Sequence, residues 1–202
     1  MAVSTTTSDV DLVGDEVVEN VARAAVLAAL TGAFAYVSFP NPLSAAGVPV
    51  TLQVLGVFLA GIFLGPVWGS VSMGLYMVAG AIGAPVFAGA SAGVGVLFGP
   101  TGGYIWAYPV AAFVVGAIVH GGLELDSPRR AGLPRLLGGM VLATALIYLG
   151  GMVSLMTAGG YGLTVDGVVQ SFAVGAAPFV PAEVFKVAAA VGLVYSDAVV
   201  AE

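Results

Sequence analysis

Between Arg23 and Glu124 the chain runs for 100 residues without one Asp, Glu, Lys or Arg, and between Arg135 and Asp166 for another 30. About a quarter of the residues of a soluble domain are charged; here 8% are. A charge at the bilayer centre costs roughly 2.5–3.5 kcal/mol on insertion scales, so a chain that lives in lipid keeps such stretches empty. Hydrophobic residues make up 59% of the 202, more apolar surface than a soluble fold of this length can hide. The chain therefore reads as an integral membrane protein. Its apolar runs are continuous and rich in Ala, Leu, Val and Gly. They lack the short alternating segments of a transmembrane barrel, so the expected class is all-α.

About 20 apolar residues, rising 1.5 Å each, cross the ~30 Å hydrocarbon core. That ruler places six spans: Val21–Phe39, Val50–Leu64, Val67–Gly83, Tyr104–His120, Leu136–Met156 and Pro181–Asp197. Gly65-Pro66 leaves almost no loop between the second and third, so these two are expected as one tight hairpin. The predicted organisation is an acidic tail over 1–20 and a six-helix membrane domain over 21–198. Five of the eleven acids lie in the first 19 residues, and no basic residue precedes Arg23. That beginning lacks the basic n-region of a secretory signal peptide. Arg129, Arg130 and Arg135 lie between the fourth and fifth spans, whereas the segments 40–49, 84–103 and 157–180 hold no Lys or Arg. The positive-inside rule then puts both termini in the cytoplasm and those three segments outside.

Several chemistries are excluded. A net charge of -6 with five basic residues gives no footing for nucleic acid. There is no Cys, hence no disulfide or thiol chemistry. Gly93-Val94-Gly95 and Gly99-Pro100-Thr101-Gly102-Gly103 are Gly-rich but lack the Lys and the spacing of a phosphate loop. They read as an external loop, folded back on the bundle by Phe87, Phe98 and Tyr104, whose backbone a ligand could approach closely. The one His, His120, has no neighbours at metal-ligand spacing. No cofactor or metal is expected.

The last span is different. Pro181-Ala182-Glu183-Val184-Phe185-Lys186 opens an otherwise apolar helix and contains the only Lys of the chain. Pro181 suits a first helical position. Glu183 and Lys186, spaced i,i+3, share one face. As a self-neutralising pair they would only ease insertion. As a ligand site they offer acceptors and donors together, the complement of a cyclic urea; ionisable residues within spans are functional hypotheses by default. In the first span, Ala25 and Ala29 form a small-x-x-x-small face that serves either internal packing or a close-approaching partner helix. An intramembrane enzyme with Glu183 as acid or base would lack a nucleophile and a second carboxylate. A scaffold would have no use for a lone Lys–Glu face beneath a Gly-rich loop.

Val48-Pro49-Val50-Thr51-Leu52-Gln53-Val54-Leu55-Gly56-Val57, then Leu64-Gly65-Pro66, Leu75-Tyr76, Gly80-Ala81-Ile82-Gly83-Ala84-Pro85-Val86-Phe87-Ala88-Gly89 and Leu97-Phe98-Gly99-Pro100-Thr101-Gly102-Gly103-Tyr104 resemble, in order and spacing, the BioY family of biotin-transporter components. The similarity covers about residues 20–196. It implies a multi-pass cell-membrane protein: the six-helix substrate-binding (S) component of an energy-coupling factor transporter, not an enzyme. Such a component takes biotin from outside and works with a transmembrane coupling protein and two cytoplasmic ATPases. The resemblance implies Glu183, Lys186, Gln53, Phe87 and Tyr104 as substrate-binding residues, and Ala25 and Ala29 as the face toward the coupling protein. The family's last-helix pattern is Pro, any residue, Asp, two residues, Lys. Here Glu183 stands where the pattern has Asp, one methylene longer. Which end of biotin Lys186 meets is left open by the sequence.

Overall fold

The structure is a computed structural model; it describes residues 14–39, 41 and 50–196. Residues 1–13 of the expected acidic tail, most of the segment 40–49 and Asp197, the expected end of the sixth span, lie outside the described residues. In order, the elements are helix α1 (Asp15–Phe34), strands β1 (Ser38–Phe39) and β2 (Val50–Thr51), then helices α2 (Gln53–Ala81), α3 (Val94–Leu97), α4 (Gly102–His120), α5 (Gly132–Thr157), α6 (Val165–Gly175) and α7 (Val180–Tyr195). The strands pair antiparallel, Ser38 with Thr51 and Phe39 with Val50.

Helix α2 is folded in two. Gly65 has φ 73° and ψ -177°, a conformation that favours glycine, and Pro66 brings no N–H to continue the helix. The two arms turn back on each other. A Cβ on Gly69 would lie 2.8 Å from the Ala60 carbonyl oxygen, and Gln53 and Tyr76, 23 residues apart, are hydrogen-bonded. In a straight helix those two would be about 35 Å apart. Helix α4 crosses the fold of α2 through glycine contacts. A Cβ on Gly61 would meet the Ala112 oxygen at 2.4 Å, and one on Gly116 would meet the Pro66 nitrogen at 2.4 Å. Lipid gives helices little hydrophobic reason to associate, so such close backbone approach supplies the packing. Tyr76, Phe58, Ile62, Met73, Leu136, Met140 and Ile147 fill the centre. The outward faces are apolar too, with Leu149, Val141 and Phe185 exposed.

Among the described residues, five helical stretches are long and apolar enough to cross a membrane: Asp15–Phe34, Gln53–Ala81, Gly102–His120, Pro128–Thr157 and Val165–Tyr195. The expected second and third spans are the two arms of α2. Three expectations need the largest correction, beyond the shorter shifts of the second span's start from Val50 to Gln53 and the fifth's from Leu136 to Gly132. Helix α1 starts at Asp15, within the expected tail, because Asp15 and Glu16 suit the positive end of a helix dipole. It stops at Phe34 rather than Phe39, since Phe39 is taken into the strand pair. The segment 157–180, expected as a loop, contains α6. Thr164 caps it by accepting from the Gly167 N–H at 3.0 Å, and Gly167, Ser171 and Gly175 form its buried face. Helix α1 turns Ala24 and Ala28 inward and leaves Ala25 and Ala29 exposed.

Candidate functional site

A cavity of about 120 Å³ lies among α2, the 87–101 segment, α4, α5 and α7. Glu183, Lys186, Gln53, Phe87 and Tyr104 all line it. Its closed end is formed by Glu183, Lys186, Gln53, Phe87 and Tyr108, all buried. Toward its open end the lining residues Ala88 and Thr101 are exposed, and Thr51 and Ser91 are half-buried.

Helix α7 delivers the charged pair. Pro181 stands in its first turn, and the i,i+3 spacing puts both heads on the inward face. Lys186 Nζ donates to Glu183 Oε1 at 2.6 Å. The Tyr148 hydroxyl, from α5, donates to the same oxygen at 3.0 Å. Glu183 is 6% exposed and Lys186 4%. Glu183 Oε2 is the only buried side-chain polar atom without a hydrogen-bond partner among the described residues. An ammonium carries three donors, and a buried polar atom left without a partner costs about 1–3 kcal/mol. The cluster thus presents one waiting acceptor beside a donor with capacity to spare.

Gln53, which lines the same cavity, is held from both sides. Its Oε1 accepts from Thr51 Oγ1 at 2.9 Å, and its Nε2 donates to the Tyr76 hydroxyl, which itself donates to the Val86 carbonyl at 3.2 Å.

The aromatic walls rest on glycines. A Cβ on Gly80 would enter the Phe87 ring, 2.1 Å from Cζ; one on Gly151 would enter the Tyr104 ring, 2.0 Å from Cζ; one on Gly175 would reach the Tyr104 hydroxyl oxygen at 2.4 Å. Tyr104 is further fixed by donating to the Gly175 carbonyl at 2.7 Å. Phe87 packs edge-on to Tyr76, with ring centroids 5.6 Å apart. Phe98, expected beside this loop, is 70% exposed and packs on Trp106 away from the cavity.

The sequence reading passed over Tyr148, Tyr108 and Phe179, all on the cavity wall. Tyr148 lies in a long apolar stretch, and nothing in its neighbours marks it as the partner of a carboxylate 35 residues away.

The BioY family model matches residues 4–200. The chain is similar to the probable biotin transporter BioY of Pyrococcus horikoshii, at 38% identity over 173 residues, covering 86% of this chain and 92% of the relative. It is similar to the biotin transporter BioY of Rhodobacter capsulatus at 38% over 144 residues, covering 70% and 74%. Among solved structures it resembles the S-component for biotin from an ECF-type ABC transporter, with a TM-score of 0.72 over 91% of this chain and 92% of that one, at 21% identity. That last likeness speaks for the fold.

Proposed function

The chain belongs to the BioY family of transporters rather than to the enzymes, and from that membership we propose that it binds biotin at the outer side of the cell membrane and mediates its uptake. In this reading it is the S component of an energy-coupling factor transporter. The observation that carries the reading is the buried Glu183–Lys186–Tyr148 cluster in the cavity, with a carboxylate oxygen that lacks a partner. Biotin's cyclic urea has two N–H donors and one carbonyl acceptor. A carboxylate accepts the first and an ammonium donates to the second, so the ring's loss of water is compensated. Gln53, Phe87 and Tyr104 complete the pocket.

The domain crosses the membrane six times, over 21–198, with the two arms of α2 as separate passes, and both termini are cytoplasmic. The arginines at 129, 130 and 135 support that orientation. Three protein partners follow: a transmembrane coupling protein, met by the exposed Ala25/Ala29 face of α1, and two cytoplasmic ATPases that supply the energy.

Titration of the detergent-purified chain with biotin tests the reading. Lys186→Ala, checked for folding, should weaken binding at least about tenfold, the equivalent of 1.4 kcal/mol. Unchanged affinity removes Lys186 from the site and returns the pair to a role in insertion alone.

A further inference from the structure

The charge of the closed end decides which part of a ligand can enter it. Lys186 is already neutralised by Glu183 at 2.6 Å, so the buried cluster is an ion pair of net charge zero. A ligand carboxylate placed there would make two anions share one ammonium, leaving a net buried charge, which low-dielectric surroundings penalise heavily. A neutral group with donors and an acceptor carries no such penalty.

Among the described residues, no other cationic side chain lines the cavity. The five basic residues of the chain are Lys186 and four arginines. Arg23 pairs with Glu19 on the exposed part of α1, and Arg130 pairs with Asp126. Arg129 donates to the Val194 and Ser196 carbonyls at the far end of α7. Arg135 lies in the first turn of α5, 13 residues before Tyr148 and so about 20 Å from it along the helix axis. The hydroxyls toward the open end are neutral: Thr51, which donates to Gln53 Oε1, Ser91, which donates to the Ala88 carbonyl, and Thr101.

We infer that the ligand's carboxyl end lies at the open end among these hydroxyls and water, without a dedicated cation, and that the site therefore takes carboxyl-derivatised biotin (its amides, esters and alcohol) nearly as well as the free acid. This rests on the reading of the cavity as the biotin site and deepens it: the ring is what is selected, and the charge on the tail is not. The substrate class becomes biotin together with small neutral derivatives of its tail.

The test is calorimetric titration of the purified full chain with biotin, the primary amide, the methyl ester and the alcohol. Binding of all three derivatives within about tenfold of biotin is the expected result. Biotin that binds while the amide and the alcohol fall more than about tenfold weaker overturns the inference and leaves the biotin reading standing, since the carboxylate would then have a specific partner. Failure of biotin itself to bind overturns the underlying reading as well.

Discussion

The Lys186–Glu183 pair can be taken apart one charge at a time. Lys186→Met strands a carboxylate that is 6% exposed, with the Tyr148 hydroxyl as its remaining donor. Breaking a buried pair from one side typically costs about 3–5 kcal/mol; in a chain of this size that is a fall in melting temperature of about 6–20 °C. Glu183→Gln strands the ammonium but keeps an amide oxygen able to accept from Lys186 and Tyr148, so its loss should fall at the lower end. The double variant Lys186→Met/Glu183→Gln removes both charges. It should recover most of the stability, because a neutral replacement for a buried ion pair is often isoenergetic or better. Biotin affinity should follow a different pattern: low in both single variants and still low in the double, since the stability is restored without the ligand's partners. Thermal unfolding in detergent reads the first pattern and titration the second. If the double variant regains biotin affinity along with stability, the pair serves only the bundle, and the ligand role argued for it is wrong. If neither single variant melts below the parent, the pair is not buried as described.

The other predictions concern the cavity wall, the docking face and the topology. Gly151→Ala forces a Cβ into the Tyr104 ring and should cost about 1–3 kcal/mol as overpacking and weaken biotin binding, while Gly74→Ala, which meets nothing within 4 Å, leaves affinity unchanged; equal titrations for the two would remove Tyr104 from the wall. Ala29→Trp adds bulk on the exposed side of α1, so the isolated chain should bind biotin normally yet fail to co-purify with the coupling protein; unchanged co-purification rejects that face. A cysteine placed at position 95 should react with an impermeant label from outside, and one at position 130 only from inside; the reverse pattern inverts the topology.

Much of the fold was legible because lipid imposes a simple rule: charge is kept out of long stretches. The two deserts located the helices, and Gly65-Pro66 marked the fold of α2, since a glycine at positive φ followed by a residue without an N–H breaks a helix locally. Helix α6 was missed because the rule detects spans. Its 11 residues are about 16 Å long, too short to cross the core, and Asp166 at its start and the nearby glycines Gly159, Gly160 and Gly162 gave the segment the composition of a loop. The end of α1 was misplaced for a related reason. Phe39 is as apolar as a helix needs, and only its pairing with Val50, across a segment of sequence, takes it out of the helix.

The site divides along the same line between local and non-local information. Glu183 and Lys186 were visible because their relation is internal to one helix: three residues apart on one face, and rare charges in an apolar run. Tyr148 was invisible because its relation to Glu183 exists only once α5 and α7 are packed, and a Tyr in an apolar stretch is not unusual in itself. The glycines are the deeper case. Thirty glycines announce close helix packing in general but do not tell which of them seats a ring. Gly80 holds Phe87 seven residues away, while Gly151 and Gly175 hold Tyr104 from two other helices. A site in lipid cannot rely on the hydrophobic effect to press aromatic side chains into place, because the outside is as apolar as the inside. Shape must do it, by backbone that comes close enough to leave each ring one position. The two glycines beneath Tyr104 and the single hydrogen bond from its hydroxyl to the Gly175 carbonyl therefore fix that wall before a ligand arrives. The cluster of Glu183, Lys186 and Tyr148 retains an acceptor that has no protein partner. On the proposed reading, rigid walls and a polar end with an acceptor still to be met would allow one neutral ring to be chosen over others of similar size.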